Sequence, residues 1–91
     1  MTKRKLEHQN KKIGLLLKKY RLELTDISSS RQKFIDDRSR KYFDYEDWIS
    51  EKTLMNYETG KNVPTLQNLK KLSIALEVDI SKLFAEIIEL L

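Results

Sequence analysis

Ninety-one residues support one domain and are too few for two with separate cores. With 40% hydrophobic and 35% charged residues and two glycines, the composition argues against both a disordered tail and a turn-rich β-sandwich, so an α-helical module is expected. The absence of cysteine removes disulfides, thiolate metal sites and cysteine nucleophiles, and suits a reducing cytoplasm. No apolar run is longer than Leu15 to Leu17, so neither a membrane span nor a signal peptide is expected. Net charge is +4 but uneven. Residues 1–45 hold 13 Lys and Arg against 6 acids, whereas residues 46–91 hold 5 against 8. Such a split points to one face that meets a polyanion, although a solvated helix face also collects lysines.

In chain order, residues 1–11 read as a basic arm, in which Lys3, Arg4, Lys5 and Lys11, together with the adjoining Lys12, lie along a phosphate backbone or remain solvated. A single domain follows over residues 12–91. Ile13, Leu16, Leu17 and Tyr20 fall on one stripe and predict a first helix over Lys12 to Glu23. Ser30 is the expected cap of a second helix, carrying Phe34, Ile35 and Arg38 to about Tyr42. Residues 43–48 have no clean period and read as an ordered loop. Five of the eight aromatic residues lie between 34 and 48, which gives that segment large flat surfaces to bury. Ser50 opens a third helix, about Glu51 to Thr59, with Leu54 and Tyr57 inward and Gly60 closing it. Pro64 and Thr65 start a fourth helix with the stripe Leu66, Leu69, Leu72, Ser73 and Leu76. A fifth begins near Ser81, and Leu83, Phe84, Ile87, Ile88 and Leu91 share one side of it. Packing on its own domain accounts for Leu83 and Phe84; Ile88 and Leu91 are left for a partner.

The stretch from Ile49 to Phe84, ISEKTLMNYETGKNVPTLQNLKKLSIALEVDISKLF, resembles the second half of the phage repressor and Cro (Xre) class of helix-turn-helix DNA-binding domains. IGLLLKKYRLEL, from Ile13 to Leu24, is similar to the first helix of that class. The resemblance implies an all-α, five-helix, lambda repressor-like fold whose third helix enters the major groove, where all four base pairs can be distinguished. It puts base-edge contacts at Glu51, Lys52, Thr53 and Asn56, and phosphate contacts at Ser50, Thr59, Lys61 and Asn62. The residue chemistry agrees: Lys52 can donate to guanine, Asn56 can pair with adenine, and Glu51 can accept from cytosine. Arg21 and Glu58 occupy positions where the class has a buried ion pair bracing the recognition helix; the alternative is two unrelated surface charges. Two departures stand out. The connection from Ser30 to Ser50 is about a dozen residues longer than in the class, with the insertion at about 36–48. Glu77 also stands where the class often has glycine.

The function these features imply is that of a sequence-specific transcriptional regulator, most simply a repressor, bound as a homodimer to double-stranded DNA. The competing reading is a protein-interaction module, such as an antitoxin or the front domain of a larger peptide-sensing regulator, with Tyr42, Phe43, Tyr45 and Trp48 facing the partner. Catalysis is not expected: His8 stands alone, and Asp36 and Asp37 point about 100° apart on a helix with no third ligand. No metal or cofactor is implied.

Overall fold

The computed structural model describes residues 2–91, with side chains from His8 onward, and within them the chain forms five α-helices and no strand. Helix α1 spans Thr2–Leu22 and buries Ile13 and Leu17 almost completely. It starts about ten residues ahead of the expected boundary, so the backbone of the presumed arm continues α1. The side chains of Lys3, Arg4 and Lys5 lie outside the described ones.

Helix α2, Arg31–Tyr42, is capped by Ser30, whose hydroxyl accepts from the Lys33 amide at 3.3 Å. Phe34, Ile35 and Arg38 form its buried face. The following loop, 43–50, is pinned at several points. Tyr45 donates its amide to the Ser39 carbonyl at 2.9 Å, and the Ser39 hydroxyl donates to the Glu46 carbonyl at 2.7 Å. Asp44 and Tyr45 take left-handed backbone, with φ of 53° and 66°, which sends the chain back over α2. Trp48 is then buried; its ring stacks on Phe43 at 4.8 Å, meets the edge of Phe34 at 6.0 Å, and its indole N–H donates to the Ile35 carbonyl at 3.1 Å.

Helix α3, Glu51–Glu58, is capped by Ser50, and its inner residues Leu54, Tyr57 and Glu58 are buried. Thr59 closes it rather than extending it, and Gly60 follows with φ 82°. Helix α4, Leu66–Leu76, is capped by Thr65, which accepts from the Asn68 amide at 3.1 Å. It buries Leu69, Leu72, Ser73, Ala75 and Leu76, while Leu66 faces solvent. Helix α5, Ile80–Glu89, begins one residue earlier than expected because Asp79 accepts from the Ser81 and Lys82 amides.

On α5 the structure corrects one expectation. Leu83 and Ile87 are the buried pair, whereas Phe84 is 45% exposed and shares the outer side with Ile80, Ile88 and Leu91. Phe84 lies one helical position, about 100°, from Leu83, and that rotation carries it off the seam with α4.

Glu77 ends α4 in the left-handed conformation, φ 59°, where glycine is the low-cost residue. Its side chain shows what is gained. The carboxylate accepts from the Tyr42 hydroxyl and from Lys41 Nζ at 3.3 Å, tying the end of α2 to the end of α4. Between them lies Arg38, with no exposed surface, donating Nε to the Ala75 carbonyl at 2.8 Å and Nη1 to Asp37 at 2.7 Å. Its remaining nitrogen is 3.4 Å from the Glu77 carboxylate. A cation among the last carbonyls of a helix is favourably placed. Tyr42 and Glu77 shift accordingly. The shared hydrogen bond chiefly holds Glu77 below the usual carboxylate range and raises the Tyr42 phenol.

Candidate nucleic-acid interface

Helix α3 is a short rod of about 12 Å, and two glycines seat it on α1. A Cβ on Gly14 would stand 2.4 Å from the Tyr57 carbonyl oxygen and 2.5 Å from that of Glu58, so only glycine permits the two backbones to approach this closely. Beyond the helix end, a Cβ on Gly60 would lie 2.8 Å from the backbone of Lys11. On the other side the Tyr57 hydroxyl accepts from the Asn68 amide group at 2.7 Å, which joins α3 to α4.

An ion-pair network secures the same seat. Arg21 donates Nε to Glu58 Oε2 at 2.6 Å and Nη2 to Oε1 at 2.9 Å, with both residues at most 5% exposed. Arg31, the first residue of α2, adds a third hydrogen bond to Oε1 at 2.9 Å. Arg21 Nη1 donates to the Ser29 carbonyl at 2.5 Å, so the turn before α2 is held to the same group. One carboxylate thus fixes α1, α2 and α3 together. The bidentate geometry and burial make the network stiff, and leaving either charge alone would be costly. Sequence reasoning named Arg21 and Glu58; Arg31 was missed, and its place directly after a capping serine gave no sign that it reached α3.

With its inner face fastened, α3 turns Glu51, Lys52, Met55 and Thr59 to solvent, with Thr53 and Asn56 half-buried beside them. Lys52 and Asn56 are four residues apart and share this outer face. Among the described residues, the side chains of Glu51, Lys52 and Asn56 make no hydrogen bond or ion pair. Their polar groups are therefore free to meet a ligand. Met55, 40% exposed in the middle of the row, was not singled out from the sequence; an apolar tip there suits the methyl group of thymine.

The expected phosphate ligands differ in availability. The Ser50 hydroxyl is engaged in its own cap, accepting from the Thr53 amide at 3.0 Å and donating to Thr53 Oγ1 at 2.8 Å. Thr59 donates its hydroxyl to the Met55 carbonyl at 2.8 Å. Lys61 and Asn62 are exposed, and their amides close the turn on the Asn56 carbonyl at 2.9 and 3.2 Å.

The insertion does not cover this face. Trp48 is internal, its indole bonded to Ile35 and its ring stacked on Phe43, which corrects its expected place as a partner contact; Phe43 is half-buried. Tyr42 is bound to Glu77, and only Tyr45, 77% exposed, projects freely.

Five helices, a buried brace and an unencumbered polar face on the third helix define an all-α helix-turn-helix domain of the repressor-like kind, a class of DNA-binding regulators. Residues 40–83, from the end of α2 into α5, match the model of the helix-turn-helix family, which supports the helix-turn-helix DNA-binding class. The family is a DNA-binding one and not an enzymatic one. No curated protein and no solved structure matches the chain. Among the described residues there is no group of carboxylates and histidines able to hold a metal, and no helix is long and apolar enough to cross a membrane.

Proposed function

We propose that the protein is a sequence-specific transcriptional regulator, acting as a repressor in the cytoplasm, which reads the major groove with α3. The observation that carries this is the row of exposed Glu51 and Lys52 with half-buried Asn56, their side chains unengaged on a helix fastened from behind by the Arg21–Glu58–Arg31 network. Lys52 reads guanine O6 and N7, Asn56 reads adenine, Glu51 accepts from cytosine, and Thr53 flanks them. Lys61, Asn62 and the Thr59 turn hold phosphates and fix orientation without reading sequence. The Ser50 hydroxyl stays in its cap and holds the helix start in place.

A single module of this size buries about 600–1,000 Å² of its own surface on DNA, so a homodimer on two half-sites about one helical turn apart supplies the affinity. The exposed α5 residues Ile80, Phe84, Ile88 and Leu91 are the apolar surface available for that pairing. The competing protein-interaction reading is weakened by the inward turn of Trp48 and Phe43, which leaves Tyr45 as the projecting aromatic of the insertion.

The test is selection of duplexes from a random pool, followed by titration of the enriched sequence at stated salt. A consensus should emerge, and Lys52→Ala and Asn56→Ala should each lose about 1–3 kcal/mol of preference for it over a scrambled duplex. No enrichment, or variants that retain full preference, overturns the proposal.

A further inference from the structure

The two ends of α3 carry opposite charge. At its N-terminal end, Ser50 and Glu51 border a groove of about 430 Å³ whose other lining includes Asp36, Glu46 and Asp47. Helix N-termini ordinarily favour anions, but four carboxylates around this one repel them. At its C-terminal end, Glu58 and Thr59 border a second groove of about 340 Å³, rimmed by Lys11, Lys18 and Arg31. Leu15, 62% exposed, lines it as well.

Lys11, Leu15 and Lys18 are spaced i, i+4, i+7 on one face of α1. Arg31 gives Nε to Glu58, while its other two nitrogens make no hydrogen bond among the described residues. Because Arg21 and Arg31 share one carboxylate, that trio keeps a single positive charge, and the two lysines bring the groove to a net three.

We propose that the sugar-phosphate backbone of duplex DNA is held in this groove, by Lys11, Lys18 and Arg31, at the C-terminal end of α3 and not at its N-terminus; the proposal rests on the DNA-reading function above. The lysine stems lie along α1 and carry their ammonium groups to phosphates, while Leu15 meets the apolar face of deoxyribose. Arg31 couples the grip to specificity, since the arginine that touches phosphate also holds Glu58 and hence the angle of α3. An acidic protein segment would suit the same charge, but the groove adjoins the free reading face of α3 through Thr59, which lines the one and is exposed on the other.

The experiment measures binding of the full chain to the selected duplex and to a scrambled one across a salt series. Lys11→Ala/Lys18→Ala should weaken both by the same factor, about thirtyfold at 0.15 M salt, and make the slope of log affinity against log salt shallower by about 1.8. Lys82→Ala, on α5, should leave the slope unchanged. Glu46→Gln/Asp47→Asn should strengthen binding to both duplexes. Unchanged melting shows that the variants fold; Lys11, Glu46, Asp47 and Lys82 are exposed and Lys18 is half-buried. Wild-type preference that depends on Lys52, combined with an unaltered slope in the double lysine variant, overturns this inference and leaves the DNA-reading function standing. Loss confined to the selected duplex also overturns it, as does a carboxylate variant that binds no better. Absence of any duplex binding overturns both, and capture of an acidic peptide by the groove without a DNA effect assigns it to protein.

Discussion

Gly14 on α1 faces the Tyr57 carbonyl on α3 with no room for a methyl group between them: a Cβ would stand 2.4 Å from that oxygen. Both neighbouring atoms belong to backbone, so no rotamer change relieves the overlap. Gly14→Ala gains about 1 kcal/mol of helix propensity, but the forced separation of two packed helices costs more, about 1–3 kcal/mol and upward. The expected result is a net loss of stability in denaturant titration, together with weaker DNA binding as α3 shifts outward. A variant as stable as the parent would show that the helices are not this close.

Glu58 serves two arginines, and this asymmetry predicts unequal costs. Glu58→Leu strands both Arg21 and Arg31 and should cost about 3–5 kcal/mol, the usual penalty for opening a buried pair. Arg21→Met leaves Glu58 with Arg31 as a partner and should cost less. The double variant Arg21→Met/Glu58→Leu should be more stable than the sum of the single losses implies, a coupling read from a double-mutant cycle in chemical denaturation. Strictly additive losses would mean that the side chains do not act as a unit.

These two relationships show unequally in the sequence. The caps at Ser30, Ser50 and Thr65 are local chemistry, a hydroxyl three residues ahead of the amide it satisfies, and they can be read without knowing the fold. The Arg21–Glu58 pair became readable through the family resemblance, which supplies the crossing of α1 and α3 that spacing alone does not. Two features stayed hidden for tertiary reasons. The early start of α1 was missed because Leu6 is the only apolar residue between Thr2 and Lys12, so no stripe marks the helix. The exposure of Phe84 follows from the rotation of α5 about its axis, which α4 and α1 set, and periodicity cannot fix. The outer face of α3 was legible as a row of residues, whereas the opposite charge at its two ends needed α1 and the 43–50 loop in place.

The Glu77 clasp should give stability a dependence on acid. The Tyr42 hydrogen bond is the largest influence on the Glu77 carboxyl and, with Lys41 and Arg38, holds it below its ordinary value of 4.5 against the opposing effect of desolvation, which ranks second. A carboxyl whose folded value is depressed stabilises the protein above its unfolded value, and that contribution is lost as pH falls through the folded one. Thermal melting followed downward from pH 6 should therefore show an acid-side decline that is shallower in Glu77→Gln. The group is exposed, so the effect is small and screened by salt. Glu77→Gly separates backbone from side chain: it relieves the φ of 59° while removing the clasp, and its melting should lack the same component of acid dependence. An identical acid profile in all three proteins would exclude Glu77 as its source.

Trp48 is the protein's single tryptophan, so its fluorescence reports the insertion directly. Burial between Phe43 and Phe34, with the indole donating to Ile35, should give a blue-shifted emission that moves red in one transition on unfolding. Trp48→Ala should cost about 3–5 kcal/mol, the range for a large buried aromatic, because it empties the space that holds the 43–50 loop on α2. Trp48→Phe should cost less, since it keeps an aromatic ring in the stack and gives up only the indole hydrogen bond to a carbonyl that lies within α2. The diagnostic measurement is DNA binding by Trp48→Phe. The loop delivers Ser50 and thereby sets where α3 begins, so loosening it should weaken the preferred and scrambled duplexes unequally, the preferred one more. A wild-type preference between the two duplexes in Trp48→Phe, with blue-shifted emission from the wild type, would mean that the enlarged connection is packed on the domain but has no part in positioning α3.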